Sequence, residues 1–173
     1  MVISYSDGEG TDGCVGIAFW KKGDRDAIAG TICVPEELRE LWDEQQRQSR
    51  HNDIFEVEVI GPLLLLHNFP EAFRDSLWLH FIDNAGGLAC LINGSSTVMS
   101  GDVIVGETWE AVARLSSTPW FDRVESNPNP ADGLSRGKLN GPWSHRPIQF
   151  PPGLLPLLRR ELRNRGRARS LSA

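Results

Sequence analysis

The chain has 173 residues, of which 40% are hydrophobic, and a formal net charge of −5. This length is sufficient for one domain with a sizeable core and argues against two complete domains. No apolar run reaches about 18 residues, and no basic segment followed by an apolar stretch opens the chain, which argues against a membrane span and a signal peptide. We therefore expect an intracellular protein, cytoplasmic or nuclear, with no membrane partner.

Charge is distributed unevenly along the chain. Residues 159–173 contain six arginines and one glutamate, a local charge of +5, which leaves −10 on the remaining residues. A basic tail on an acidic body is typical of phosphate contacts in a nucleic-acid-binding protein, and equally of a solvated terminal extension.

The three cysteines are Cys14, Cys33 and Cys90. They are widely spaced and form no C-x-x-C pair, which argues against a disulfide framework and a structural zinc site. We expect each of them to be a buried, small apolar residue.

The first half of the chain predicts strands followed by helices. Short apolar segments separated by Gly/Asp clusters predict an antiparallel meander of three strands, at 2–7, 14–21 and 26–34. Pro35, followed by two glutamates, predicts a helix start. The apolar residues between 53 and 68 predict a mostly buried helix that Pro62 kinks or restarts.

The second half predicts alternating strands and helices. Strands are expected at 77–82 and 120–124, and helices at 85–92 and about 102–115. A turn then leads into a short helix that carries Asp132. After Gly137 the repeated prolines predict a linker instead of a core element.

Two of the predicted strands run directly into an aspartate. Asp7 follows the first apolar strand, and Asp83 follows the strand at 77–82. Carboxylates repel each other, so a divalent cation is the simplest reason to gather them at strand ends. The alternative is that the aspartates cap helices or solvate turns in an unrelated α/β domain.

Three short sequence motifs make the prediction of a cation site more specific: YSDG at 5–8, FIDN at 81–84 and NPADGLSR at 129–136. In this order they resemble the ribonuclease H-like domain of retroelement (retrotransposon) reverse transcriptases. The resemblance implies an α/β ribonuclease H-like fold with a mixed five-stranded sheet, three antiparallel strands and then two parallel ones, flanked by helices. It assigns residues 1–137 to this domain and leaves 138–173 as a Pro-rich linker and Arg-rich tail.

The resemblance also implies a function and a set of site residues. In that family four carboxylates bind two Mg²⁺ ions, with Mn²⁺ as an alternative, and the enzyme hydrolyses the RNA strand of RNA–DNA hybrids. The matching positions here are Asp7, Glu58, Asp83 and Asp132, as catalytic residues and metal ligands. Glu56 competes with Glu58, and since residues two apart on a helix point about 200° from each other, only one can face the site.

Further contacts follow from the same resemblance. We expect Gly8, Gly10, Asn84 and Arg136 to contact an RNA–DNA hybrid, and a reverse transcriptase polymerase domain to be a second partner. Several family members carry a histidine just before the last aspartate, whereas residues 125–130 contain none. A ribonuclease H-like nucleic-acid-binding or connection module without turnover therefore stays as the alternative function.

Overall fold

The fold is described by a computed structural model that covers residues 1–49, 54–139 and 141–171. The strands in these ranges are β1 (Val2–Glu9), β2 (Cys14–Lys21), β3 (Ala27–Cys33), β4 (Leu77–Ile82), β5 (Thr118–Arg123) and β6 (Trp143–His145). The helices are α1 (Glu36–Ser49), α2 (Ile54–Val59), α3 (Gly61–Asn68), α4 (Pro70–Phe73), α5 (Ala85–Asn93), α6 (Met99–Leu115), α7 (Pro130–Ser135) and α8 (Leu154–Leu171). Among these described helices, none is both long and apolar enough to cross a membrane.

The strands form one mixed sheet in the order β5–β4–β1–β2–β3–β6. Strands β1, β2 and β3 pair antiparallel, whereas β4 pairs parallel to β1 and β5 pairs parallel to β4. The predicted α/β class, with antiparallel strands followed by parallel ones and helices around the sheet, is therefore confirmed.

The predicted count of five strands is wrong, because β6 adds a sixth strand beside β3. Its three residues pair in parallel with Ala27, Ile28 and Ala29. Pro142 and Pro147 flank this strand and obscured it in the sequence. Neither proline lies within the strand, so their missing N–H groups remove no hydrogen bond of the three paired residues.

Residues after β6 also contribute to the core, in the segment for which the sequence predicts a linker and a tail. Leu154 and Leu158 of α8 are 2% and 0% exposed, and α8 packs against α6 and α1. Ile148 occupies the space that a Cβ on Gly30 would need, so the glycine allows close packing on β3. Arg159 and Arg160 lie on the exposed side of α8.

The predicted helix over residues 53–68 is divided into α2 and α3, and the division lies at the predicted place. Pro62 stands in the first turn of α3, where its missing N–H removes no helical hydrogen bond. Gly61 lies directly against the side chain of Ser6 on β1, and a Cβ there would overlap it. The glycine therefore allows the start of α3 to lie directly against β1.

A disulfide joins Cys14 and Cys33. The prediction that these two cysteines are unpaired is therefore wrong, and the predicted burial is confirmed for Cys14 but wrong for Cys33, which is exposed. Antiparallel pairing of β2 and β3 places the two residues directly opposite each other, with Cα atoms 3.8 Å apart. Cys90 is free and half-buried.

A buried polar network lies between β1 and β4. The imidazole of His80 is hydrogen-bonded through Nδ1 to Ser4 Oγ at 2.8 Å and through Nε2 to Ser6 Oγ at 3.1 Å. The indole of Trp78 donates to Ser4 Oγ at 2.6 Å. Complete burial lowers the pKa of His80 to about 3, so the ring is neutral and its hydrogen bonds satisfy a polar part of the core.

Candidate metal centre

The pairing of β1 with β4 brings Asp7 and Asp83 to equivalent positions along two neighbouring strands. Strands β1 and β4 are parallel neighbours, and Tyr5 is paired in register with Phe81. Two residues further along each strand direction lie Asp7 and Asp83, so both carboxylates stand at the carboxyl end of the parallel pair. This is the edge where ligands commonly bind in open α/β sheets.

Helix α2 adds a third carboxylate to this edge. The backbone N–H of Gly8 donates to Glu58 Oε2 at 3.3 Å. A Cβ on Gly8 would lie 2.8 Å from the backbone nitrogen of Glu58, far inside van der Waals contact. Gly8, expected as a substrate contact, lines the groove and also allows α2 to approach β1.

Carboxylate oxygens of Asp7, Glu58 and Asp83 lie within 4.8 Å of one another. Asp7 is only 4% exposed and Glu58 8%. The set contains oxygen donors alone, without a cysteine or histidine, and this donor chemistry fits a hard cation such as Mg²⁺ or Mn²⁺.

Asp132 lines the same groove but lies outside this group of three. It is carried by the short helix α7, and its Oδ1 accepts a hydrogen bond from Arg136 Nε at 3.0 Å. The structure therefore brings all four predicted carboxylates to one groove, with three clustered and the fourth paired with a guanidinium.

The two candidate glutamates of α2 face different surroundings. Glu58 lies with Asp7 and Asp83, whereas Glu56 is 2% exposed and accepts a hydrogen bond from Ser100 Oγ of α6. Helix geometry separates them as expected, since residues two apart point in nearly opposite directions.

Burial and mutual repulsion shift the acidities of the cluster. Burial, followed by the charges of Asp7 and Asp83, raises the pKa of Glu58 to about 8. Burial and the neighbouring carboxylates also raise the pKa of Asp7 to about 6, against the lowering effect of a hydrogen bond from Ser135. Without a cation Glu58 retains a proton at neutral pH, whereas Asp7 is largely ionised above about pH 6, so a bound cation would displace mainly the proton of Glu58.

Glu9 also lines the groove, yet it serves the turn between β1 and β2. Its carboxylate accepts the backbone N–H groups of Thr11 and Asp12, each at 2.8 Å. These hydrogen bonds lower the pKa of Glu9. Because the carboxylate is engaged by the turn, it shapes one wall of the groove beside the cluster.

Of the other three expected substrate contacts, two line the groove and one does not. Gly10 and Arg136 line the groove, whereas Asn84 does not. Asn84 caps α5, and its Oδ1 accepts the backbone N–H of Gly87 at 2.8 Å. Arg136 is half-exposed, so part of its guanidinium is open to the solvent of the groove.

Sequence reasoning missed two residues that hold α7 against β1. Ser135 is 3% exposed, and its hydroxyl donates to Asp7 Oδ2. Asn129 caps α7 through Ala131 N–H at 3.0 Å and donates to the carbonyl of Ser6 at 3.2 Å. Asn before Pro is a usable signal for the cap, while the Ser135 contact had no local signal.

Neither a scan against protein-family models nor a search of curated proteins returns a match.

Proposed function

We propose that this chain is a metal-dependent endonuclease of the ribonuclease H type, which hydrolyses the RNA strand of RNA–DNA hybrids as part of a retroelement reverse transcriptase. One observation carries the proposal. Asp7, Glu58 and Asp83 come from β1, α2 and the end of β4, and their carboxylate oxygens converge within 4.8 Å of one another. Three carboxylates gathered at such distances repel strongly unless cations or protons neutralise them.

The surroundings of the cluster support the same function. Asp132 lines the same groove, so a fourth carboxylate could help to hold a second cation, with its Oδ1 also bound by Arg136. The groove has a volume of about 460 Å³, which is enough for a phosphodiester segment. Arg136 is half-exposed beside Asp132, and its guanidinium suits a phosphate oxygen.

The proposed reaction needs no nucleophilic side chain. Two cations, when bound, supply a nucleophilic water and neutralise the charge that develops on the phosphate. The protein's part is to hold its carboxylates rigidly, and the buried positions of Asp7 and Glu58 provide that rigidity.

A second candidate function rests on the loop that precedes α7. Residues 125–130 contain no histidine, and Ser126 is the loop residue that lines the groove. A hydroxyl cannot exchange protons near neutral pH as an imidazole does. A nucleic-acid-binding or connection module without turnover would share the fold and the groove.

Cleavage of a labelled RNA–DNA hybrid distinguishes the two functions. The protein is incubated with Mg²⁺, with EDTA, and with Mg²⁺ after the substitution Asp83→Asn. Asp122→Asn is the matched control, because this exposed β5 carboxylate lies outside the groove and accepts the N–H of the next residue. If the protein is a nuclease, the wild type and Asp122→Asn should cleave the hybrid in the presence of Mg²⁺. Cleavage should be lost when EDTA is added and in the Asp83→Asn variant. Hybrid binding without cleavage would favour the connection module, and neither binding nor cleavage would contradict both.

A further inference from the structure

Ser135 joins two parts of the groove that are far apart in the chain. Ser135 stands in the last turn of α7 and is 3% exposed. Its hydroxyl donates a hydrogen bond to Oδ2 of Asp7, 128 residues earlier in the chain. The same hydroxyl oxygen lies 2.9 Å from the carbonyl oxygen of Asp132, a second acceptor for that proton. A carboxylate is the stronger acceptor of the two, so the contact with Asp7 dominates when Asp7 is ionised.

The register of the sheet explains why Ser135 reaches Asp7. Asp7 is paired with Gly16 across β1 and β2. A Cβ on Gly16 would lie 2.5 Å from the backbone nitrogen of Ser135, so the glycine lets α7 lie directly on this pair of strands. The end of α7 is thereby placed over the residue pair that contains the carboxylate.

Other contacts already hold α7 in place. Leu134 is 1% exposed and packs with Ala18 and Ala29 in a small apolar cluster. Asn129 ties the start of the helix to β1, and Thr31 Oγ1 donates to the carbonyl of Leu134 at 2.9 Å near its end. The hydroxyl of Ser135 is therefore not needed to attach the helix to the sheet.

We infer that Ser135 is a positioning residue that fixes the orientation of the Asp7 carboxylate and leaves it free to hold a divalent cation. A neutral hydroxyl donates one hydrogen bond without cancelling the charge of the carboxylate, in contrast to Arg136, which pairs with Asp132. Outer partners of this kind orient ligating carboxylates in metal sites. The inference rests on the proposed function, because it assigns a cation to Asp7.

The test is a calorimetric titration of the full chain with Mn²⁺, using Ser135→Ala and Thr31→Val. Thr31→Val is the matched control, since it also removes a hydroxyl bound to α7, one that donates to a backbone carbonyl instead of a carboxylate. Asp83→Asn identifies the part of the signal that arises at the cluster. We expect Ser135→Ala to weaken Mn²⁺ binding about 10- to 100-fold relative to the wild type. Thr31→Val should bind Mn²⁺ with the same affinity as the wild type.

Ser135→Cys is the second variant, because it keeps a side chain of similar shape but donates weakly. It is also expected to weaken Mn²⁺ binding, and it decides the question if Ser135→Ala does not fold. Melting temperatures measured in EDTA separate a loss of affinity from a loss of structure. The inference is overturned if the folded Ser135 variants bind Mn²⁺ as the wild type does, or if Thr31→Val loses as much affinity.

Hybrid cleavage measured on the same samples keeps the two proposals apart. If the wild type binds Mn²⁺ at the cluster but cleaves no hybrid, the nuclease function fails while the Ser135 inference is still decided by affinity. If the wild type cleaves and Ser135→Ala binds Mn²⁺ normally, the inference fails and the function stands. A wild type that binds no Mn²⁺ overturns both.

Discussion

The backbone of Gly8 is in direct contact with Glu58: its N–H donates to the glutamate Oε2 at 3.3 Å, and a Cβ in its place would lie 2.8 Å from the glutamate's backbone nitrogen. One glycine on β1 thus sets how near α2 comes to the sheet. Because α2 carries Glu58 to Asp7, the geometry of the whole cluster depends on the absence of one side chain.

Gly8→Ala should therefore displace α2 and open the cluster. We expect a loss of about 1–3 kcal/mol in the free energy of unfolding, typical of overpacking, together with weaker Mn²⁺ binding. Urea unfolding and a Mn²⁺ titration measure the two effects. Gly106→Ala in α6 is the control, because a Cβ there would meet nothing within 4 Å and alanine favours a helix by about 1 kcal/mol. Equal stability of the two variants would contradict the contact.

Glu58→Gln should stabilise the cation-free protein at pH 8. The pKa of Glu58 is raised from 4.5 to about 8, so the folded state holds a proton that the unfolded chain releases. Stability from this group is full below pH 4.5 and is lost as pH rises toward 8, by at most about 1.4 kcal/mol per unit. Thermal unfolding in EDTA from pH 5 to pH 8 should show a smaller decline in the variant. If the stability of the wild type and of Glu58→Gln changed equally with pH, the raised pKa of Glu58 would be contradicted.

Cation binding should release protons and strengthen with pH. Asp7 and Glu58 have pKa values raised to about 6 and about 8, so between these limits a cation displaces mainly the proton of Glu58. We expect Mn²⁺ affinity at pH 8 to exceed that at pH 6 by at least about tenfold. Titrations in buffers of different ionisation enthalpy count the protons released. An affinity independent of pH would mean that Mn²⁺ binds elsewhere.

His80 should stay neutral well below the usual range for histidine. Burial lowers its pKa to about 3, whereas the unfolded residue titrates near 6.5. Stability from this group is therefore full above pH 6.5 and is lost as pH falls toward 3. In nuclear magnetic resonance spectra the ring signals of His80 should not shift between pH 8 and pH 5. A midpoint near 6.5 would show that its contacts with Ser4 and Ser6 are not maintained.

Thiol counting tests the disulfide between Cys14 and Cys33. The native chain, unfolded without reductant, should expose one reactive thiol, that of Cys90. Reduction, or the substitution Cys14→Ser, should lower the free energy of unfolding by about 2–4 kcal/mol, because it removes a constraint on the unfolded chain. Cys90→Ser is the control and should leave this stability largely unchanged. Three reactive thiols before reduction would exclude the cross-link.

Much of the fold could be predicted because its signals are local. Short apolar segments indicate β1 and β4, and the position of Pro62 indicates where α2 ends and α3 begins. The strand β6 could not be predicted, because three residues between prolines have no pattern of their own and become a strand only beside β3. The cysteine prediction failed for a related reason: spacing along the chain contains no information about which residues face each other across β2 and β3.

The candidate site divides in the same way. From the sequence alone we could predict that Asp7 and Asp83 follow apolar strand segments, that Asp132 belongs to a short helix, and that only one of Glu56 and Glu58 can face a common site. The folded structure was needed to show that Glu58 is the one beside Asp7, that Arg136 pairs with Asp132, and that Ser135 contacts Asp7. Local preferences act over a few residues, whereas these contacts form only when the sheet register and the packing of α2 and α7 are complete.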